Sequence, residues 1–410
     1  MSFKEDRINY IINNKINFIS GTICPADKDP KNNNLECLAK AFNYYTDLFK
    51  NNIINKLVIQ PKYMGSRLQF YFDTKDVKNC YCVTRNGFKK VLSDDIMNNI
   101  YISLQNKLSS LILQFNIKFM IIDGEILPWN LFGKKLIESE YNNTFYGAKS
   151  ELEILKKADY DAKLNNLMDV YNKKDFENDY KNTPKKNLLQ KYNMSEIETL
   201  AQVKTNKPRY LSISEQLKSI DIFGNQLELY ATDREVEYKP FSILKIISQD
   251  DVEYIPGIKN ENNIKENFGN IDMSELFICD EYLVLDLKEN YDQNYINLEN
   301  YWNKMINIQN MEGIVIKPDI IDIDYAPCLK VRNPNYLHII YGYDYLTPCR
   351  SNYLIRKKNI KKKLEVSIND FQLGLNMLKT KYSDIDKNNK EYTKILTEFL
   401  NGDDKLDSAL

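Results

Sequence analysis

Histidine is almost absent from this chain, because His338 is the only one among its 410 residues. Without a second imidazole the chain cannot form a zinc site of several histidines or the HExxH helix of a metalloprotease. A Ser-His-Asp or Cys-His catalytic group could be built only on this one ring. The stretch 328–341 around it is rich in apolar residues and predicts a strand. We therefore expect the chemistry to depend on lysine and carboxylate side chains.

Arginine is also scarce, with eight residues against 48 lysines, whereas the total charge is nearly balanced at −1. A net charge near zero does not indicate a nucleic-acid partner, so any such surface must come from local clustering. One basic cluster runs from Arg356 to Lys363. Arginine is selected over lysine where its planar fork must match a phosphate or carboxylate, so the few arginines are candidates for specific contacts.

The chain lacks long apolar runs and regularly spaced cysteines. Its most apolar stretch, Leu108 to Ile122, is interrupted by polar residues and is shorter than the ~20 positions that span a membrane. Residues 1–20 lack the apolar segment of a secretory signal. The seven cysteines show no zinc or CxxC spacing. We expect a cytoplasmic protein with reduced thiols and no membrane contact.

Short strand-like runs separated by turns predict an α+β fold with an antiparallel sheet, and disfavour a doubly wound parallel sheet. Residues 56–73 predict a hairpin of two strands around a tight Met-Gly-Ser turn. Residues 136–222 have spaced apolar positions in charged stretches, which is typical of helices. One amphipathic helix near the C-terminus is predicted from four residues at helical spacing: Phe371, Leu375, Leu378 and Tyr382.

These changes along the sequence predict four parts. An N-terminal segment, 1–55, is expected to pack on a core formed by 56–135 and 223–335. The helical insertion, 136–222, separates the two halves of that core. A helical C-terminal module, 336–410, completes the chain. No OB domain is expected, because the residues after the last strand-like motif are helical and basic.

Two motifs in the first half of the chain place charged side chains at strand ends. KYMGSR holds Lys62 and Arg67 around a glycine that allows a ligand to approach the backbone closely. DGEIL ends an apolar strand with two acids, the second of which is Glu125. Taken alone, each is also compatible with an ordinary surface turn.

Two further motifs lie in the second half. EGIVIK places Glu312 before an apolar strand and Lys317 at its far end. LKVR alternates Lys330 and Arg332 on one face of a strand with Leu329 and Val331 on the other. A solvated, ion-paired strand would also give the second pattern, but four such motifs in this order favour a catalytic site.

The motifs KYMGSR, DGEIL, EGIVIK and LKVR resemble motifs I, III, IV and V of the covalent nucleotidyltransferase superfamily of DNA ligases, RNA ligases and mRNA capping enzymes. The sequence YKPF, ending at Phe241, resembles its aromatic motif IIIa. Flanking stretches from about Gly21 onward resemble the ligase domain of bacterial polynucleotide kinase–phosphatase–ligase RNA repair systems. The resemblance implies an antiparallel-sheet nucleotidyltransferase core of the ATP-grasp-like ligase type.

The resemblance also implies a role for each motif residue. Lys62 would be the nucleophile that ATP adenylylates, with Lys317 and Lys330 as further catalytic residues. Glu312 would hold Mg²⁺ or Mn²⁺. Arg85 is a candidate RNA contact, although a surface salt bridge is an equal alternative. Nucleotide binding is assigned to six residues: Arg67, Glu125, Phe241, Lys317, Lys330 and Arg332.

A lysine must be neutral to attack phosphorus, so its pKa has to fall by several units from about 10.4. Neighbouring cations such as Lys317 and Lys330, together with a bound metal, are expected to lower the pKa of Lys62. Gln60 and Pro61 precede this lysine, where the related enzymes usually carry acidic residues.

The predicted function is that of an ATP-dependent RNA ligase in RNA repair. One alternative is an mRNA-capping guanylyltransferase or a DNA ligase, which normally carry an OB domain. Another is a non-catalytic scaffold, which would be expected to lose Lys62 or Glu312. The chain has no P-loop motif and no histidine cluster, so broken RNA ends should be prepared by a separate kinase/phosphatase subunit. The resemblance adds an RNA 3′-terminal 2′-O-methyltransferase as a partner.

Overall fold

Two β-sheets form the centre of the fold. A computed structural model of the chain describes residues 3–129, 136–207, 210–231, 235–258, 278–320 and 324–403. One sheet has the order β1-β11-β10-β2-β9 and the other the order β5-β4-β3-β6-β7-β8. Their bounds are β1 Cys24–Pro25, β2 Lys56–Lys62, β3 Ser66–Asp73, β4 Tyr81–Thr84, β5 Lys89–Lys90, β6 Ile117–Leu127, β7 Glu237–Ser248, β8 Glu253–Tyr254, β9 Leu283–Asp286, β10 Gly313–Pro318 and β11 Leu329–Arg332.

Neighbouring strands pair antiparallel throughout both sheets, except that β1 pairs parallel with β11. The predicted α+β class with antiparallel pairing is therefore confirmed. The helices are α1 Phe3–Asn13, α2 Leu38–Lys50, α3 Asp94–Gln114, α4 Asn142–Lys157, α5 Tyr160–Lys173, α6 Phe176–Asn182, α7 Lys185–Lys191, α8 Met194–Asn206, α9 Ile213–Ala231, α10 Tyr291–Asn303, α11 Leu337–Tyr341, α12 Pro348–Lys357, α13 Ile360–Lys379 and α14 Lys390–Asp403.

The predicted hairpin over residues 56–73 is wrong. Strand β2 pairs with β10 and β9, whereas β3 pairs with β4 and β6, so the Met-Gly-Ser turn carries the chain from one sheet to the other. Each strand buries its apolar face in a different core: Leu57 and Ile59 pack against α2 and α10, and Leu68 and Phe70 pack against α3. Strand pairing here is set by burial of apolar side chains in two separate hydrophobic cores, and not by the closeness of β2 and β3 in the sequence.

Strand alternation turns the polar side chains toward the space between the sheets. In β10, Ile314 and Ile316 belong to the core under α2, so Lys317 points to the opposite face. In β6, Ile122 and Ile126 belong to the core under α3, so Glu125 points away from that core. The two polar faces meet, as the contacts described below show.

The termini cover the remaining part of the second sheet. Tyr71 and Ile121 pack in one apolar cluster with residues of α1, α13 and α14. The predicted amphipathic helix is present within α13, where Leu375 and Leu378 are buried. Tyr382 lies beyond its end, in a short 3-10 turn.

Helices α4 to α9 occupy most of the stretch predicted to be helical. Helix α9 continues to Ala231 and so crosses the predicted boundary at residue 222, while the division into four parts stays a prediction. His338 lies in α11, and the predicted strand over 328–341 is wrong beyond Arg332. Asn333-Pro334 interrupts the strand, because proline cannot donate to a ladder. No helix within the described residues is long and apolar enough to cross a membrane.

Candidate active site

Lys62 and Glu312 are brought together by the pairing of β2 with β10. Lys62 is the last residue of β2 and lies opposite Gly313, the first residue of β10. Its Nζ is 2.8 Å from Glu312 Oε2, and the two side chains are only 18% and 5% exposed. The candidate nucleophile and the candidate metal ligand therefore form a largely buried ion pair.

Two opposing effects act on the pKa of Lys62. Burial lowers it, but the carboxylates of Glu312 and Glu125 outweigh burial and raise the pKa above its usual value. The two carboxylates therefore favour a protonated, ion-paired Lys62, and the expected fall in its pKa through Lys317, Lys330 and a bound metal stays a prediction. The ion pair with Glu312 must be broken before Nζ can act as a nucleophile.

Glu125 joins this charged group from the other sheet. Its Oε1 accepts a hydrogen bond of 2.8 Å from Gly65 N. Burial raises the pKa of Glu125 to about 7; the positive charge of Lys62 opposes this shift, and the charge of Glu312 adds to it. Gly65 leaves room for this contact, since a Cβ there would lie 2.6 Å from the backbone oxygen of Ile126.

Lys330 has a pKa much closer to neutrality than Lys62. It lies on β11 with its side chain opposite to those of Leu329 and Val331, which are buried in the core as predicted. Burial, followed by the positive charges of Arg332 and Lys62, lowers the pKa of Lys330 to about 7. This side chain can therefore gain or lose a proton near neutral pH.

Arg332 is held by Glu36, a residue that the sequence analysis did not identify. Arg332 Nε donates to both carboxylate oxygens of Glu36 at 3.0 and 3.1 Å, Nη2 also donates to Oε1, and the backbone N donates at 3.0 Å. Lys358 Nζ lies 3.5 Å from Glu36 Oε1. Glu36 thus links the N-terminal segment, the LKVR strand and the C-terminal helices at one buried point.

Arg67 forms a second fork, with Asp123 of the DGEIL motif. Its Nε and Nη2 donate to the two carboxylate oxygens at 3.0 and 2.7 Å. Both side chains line a pocket between the sheets that also includes Lys317 and Cys328. Burial lowers the pKa of Lys317, although the charge of Asp123 opposes this shift.

Aromatic rings border the site near Lys317. The rings of Tyr63 and Phe241 are nearly parallel, with 8° between their planes and 6.2 Å between centroids. Lys317 Nζ lies 5.5 Å from the centroid of Phe241. Gln60 Nε2 donates to the backbone oxygen of Phe241 and to Cys279 Sγ, both at 3.0 Å. Tyr63 follows the candidate nucleophile Lys62 in KYMGSR, but no spacing in the sequence indicated that it would meet Phe241.

Arg85 lies apart from the ion pair of Lys62. It follows the end of β4, and its Nη2 donates to Thr22 Oγ1 at 2.8 Å. Thr22 lines the same pocket as Arg67, so Arg85 is positioned at the border of that pocket. Its predicted contact with RNA stays a prediction.

Glu312 and Glu125 are the carboxylates next to Lys62 that could meet a divalent cation. Among the residues that the structure describes, no group of three or more His, Cys, Asp or Glu side chains is arranged to hold a metal ion. Mg²⁺ usually keeps several waters and is bound by one or two carboxylates plus substrate phosphates. Two buried carboxylates beside Lys62 fit a cation that nucleotide phosphates help to hold.

The family model of the PNKP adenylyltransferase domain, ligase domain, matches residues 9–387 of this chain. The chain belongs to this family. Two solved structures are similar to it, a Pnkp1/Rnl/Hen1 complex and the Pnkp1/Rnl/Hen1 RNA repair complex, each at 28% identity and a TM-score of 0.79. The alignments cover 99% of this chain and 98% and 99% of the matched chains. No curated protein gave a significant match.

Membership of the PNKP ligase family confirms the resemblance predicted from the motifs, and with it the enzyme class of an adenylyltransferase and ligase. Lys62, Glu125 and Lys330 lie on strands of two sheets and Glu312 directly precedes β10, yet their charges act on one another.

Proposed function

We propose that this PNKP-family chain is an ATP-dependent RNA ligase that forms a covalent lysyl-AMP on Lys62. The observation that carries the proposal is the 2.8 Å contact between Lys62 Nζ and Glu312, with Lys330 and Arg332 extending from the same sheet. A lysine nucleophile beside carboxylates and cations provides what transfer of a nucleotidyl group needs. The family's adenylyltransferase activity supports this assignment.

In the first step the lone pair of Lys62 Nζ forms a bond to the α-phosphorus of ATP, and the bond to the bridging oxygen breaks, which releases pyrophosphate. Nζ must first lose its proton to solvent, which requires that its 2.8 Å ion pair with Glu312 be broken; a cation held by Glu312 would favour this loss. The positive charges of Lys330, Arg332 and Lys317 would stabilise the charge that develops on the phosphate oxygens. The product is a phosphoramidate that stores AMP.

Residues from both sheets would bind the nucleotide. Phe241 offers an aromatic face for the adenine ring. Glu125 and Arg67, paired across β6 and β3, are the candidates for the ribose. Glu312 would hold Mg²⁺ or Mn²⁺, which supplies positive charge to the phosphates when bound.

In the later steps AMP passes from Lys62 to an RNA 5′-phosphate as the phosphorus–nitrogen bond breaks. A 3′-hydroxyl then attacks that activated phosphate, and AMP leaves. Arg85 is the candidate contact for an RNA phosphate beside the pocket. The similar structures support RNA as the substrate, because one of them is an RNA repair complex.

We further propose that the chain works in the cytoplasm with a separate kinase/phosphatase subunit and an RNA 3′-terminal 2′-O-methyltransferase. The similar structures are complexes of Pnkp1, Rnl and Hen1. The 410 residues carry no P-loop motif, which supports a separate subunit for the preparation of the RNA ends. RNA with broken ends is the expected shared substrate.

Incubation with α-labelled ATP or GTP tests the chemistry directly. We expect covalent label from ATP in the wild type and none in Lys62→Arg, because the guanidinium of arginine stays protonated. The matched control is Lys56→Arg, which changes an exposed lysine at the other end of the same strand and should leave labelling intact. Label from GTP would indicate a capping-type enzyme, and no label from either nucleotide would indicate a scaffold.

A further inference from the structure

Helix α12 presents a basic and aromatic face to solvent. Its ten residues, PCRSNYLIRK, contain three cations and no acid. Positions spaced by three, four and seven residues share one face of a helix. This places Arg350, Tyr353, Arg356 and Lys357 on one exposed face, called here the α12 surface. Two of the chain's eight arginines lie on it.

The aromatic ring of this surface is bordered by two cations. Tyr353 is 50% exposed. The guanidinium carbon of Arg350 lies 5.8 Å from the ring centroid, and Lys357 Nζ lies 5.9 Å from it. An exposed aromatic ring flanked by cations matches the way single strands are bound, with a base on the ring and phosphates on the cations.

The α12 surface is held in place by buried contacts on its other side. Lys28 Nζ donates to the backbone oxygens of Ile355 and Lys358 at the end of the helix. Lys358 in turn donates to Leu35 and contacts Glu36. The cations of the α12 surface therefore belong to a helix whose position is fixed by contacts with the N-terminal segment.

One residue, Tyr341, contacts both the α12 surface and Arg332 of β11. Arg350 Nη2 donates to the backbone oxygen of Tyr341 at 3.3 Å. Arg332 Nη2 donates to the hydroxyl of the same Tyr341 at 3.4 Å, and its guanidinium carbon lies 5.9 Å from that ring. Tyr341 therefore links the α12 surface to the strand that carries Lys330 and Arg332.

We propose that the α12 surface binds the backbone of the RNA strand that enters the site of Lys62, with one base stacked on Tyr353. The inference rests on the proposed RNA ligase function. A chain of net charge −1 needs a local basic cluster to hold a polyanion, because phosphate contacts provide most of the affinity for single strands. The arginines at this place suit phosphate geometry better than lysine does.

The test compares two variants that each remove two positive charges. Arg356→Gln/Lys357→Gln alters the α12 surface, and Lys387→Gln/Lys390→Gln alters exposed lysines at the start of α14. Binding of a labelled single-stranded RNA with a 5′-phosphate is measured by fluorescence anisotropy at several salt concentrations. Tyr353→Ala and Tyr353→Phe, made singly, test the stacking contact.

We expect the α12 variant to weaken RNA binding at least fivefold relative to the control variant. The slope of log K against the logarithm of the salt concentration should become shallower by about 1.4, since each phosphate contact to a single strand contributes about 0.7. Tyr353→Ala should weaken binding about fivefold or more, and Tyr353→Phe should restore it, because stacking needs the ring and not the hydroxyl. Labelling of Lys62 by ATP should be the same in all these variants.

Equal RNA affinity of the two double variants would overturn the proposal. If the α12 variant instead keeps RNA affinity but no longer co-purifies with a co-expressed partner subunit, the surface docks a protein and the RNA assignment is wrong. If ATP does not label the wild type, the proposed function is wrong. Because labelling and RNA binding are measured in separate assays, this failure is distinguishable from a failure of the α12 proposal.

Discussion

Removing the carboxylate of Glu36 should strongly destabilise the fold, because Arg332 would lose its buried partner. In the wild type the Glu36 side chain is fully buried, and the Arg332 side chain is only 9% exposed. The carboxylate accepts hydrogen bonds from Arg332 Nε, Nη2 and backbone N. Glu36→Ala leaves the guanidinium, the backbone N–H and Lys358 without this acceptor.

The expected magnitude follows from the burial. Breaking a buried ion pair by removing one partner costs about 3–5 kcal/mol, which is a large part of the 5–15 kcal/mol that typically stabilises a domain. Burial raises the pKa of Glu36, but the charge of Arg332 outweighs it and the net pKa is below the ordinary 4.5. The pair is therefore formed above pH 4.5 and is lost as the pH falls through the lowered pKa, so the difference between variant and wild type should shrink in acid.

The assay is equilibrium unfolding in urea at pH 7, repeated toward pH 4. Asp47→Asn is the matched control, because it removes a carboxylate from an exposed pair with Lys50, in which the side chains are 67% and 69% exposed. The control should cost less than about 1 kcal/mol. If Glu36→Ala costs no more than Asp47→Asn, the buried pair does not fix Arg332 and the reasoning is wrong.

The remaining two predictions concern strands β10 and β11. The folded pKa of Lys330, about 7, is below its unfolded value. The free energy of unfolding of the wild type should therefore rise between pH 7 and about 10, by up to ~1.4 kcal/mol per pH unit relative to Lys330→Met. Parallel thermal-melting profiles of the two proteins over this pH range would contradict the prediction. Gly313→Ala should lower stability by about 1–3 kcal/mol, because its Cβ would lie 2.1 Å from the backbone oxygen of Val331. Gly147→Ala, where nothing lies within 4 Å, is the control and should be neutral or stabilising in thermal melting.

The motif residues could be predicted because their spacing reflects strand alternation and the needs of phosphoryl transfer. Lys330 and Arg332 alternate with buried Leu329 and Val331, as the period of a strand requires. Glu312 was expected to hold a metal, and the ladder between β2 and β10 brings it into contact with Lys62. Local patterns carry this information, since each motif is complete within a few residues.

The partner of Arg332 could not be predicted in the same way. Glu36 lies 296 residues earlier in the chain, and nothing in its neighbourhood distinguishes it from a surface acid. The stacking of Tyr63 on Phe241 depends on two sheets facing each other, which no single segment specifies. Such contacts follow from packing between distant elements.

By itself, the sequence determined the α+β class and the family and supplied the candidate site residues, because these depend on local periodicity and on residue types at short spacing. Only the tertiary structure decided that the turn after Lys62 joins two sheets, since each strand buries its apolar face in a different core. Only the tertiary structure, too, brought the carboxylates of Glu312 and Glu125 to Lys62 from distant parts of the chain, where their charges outweigh the effect of burial and raise its pKa.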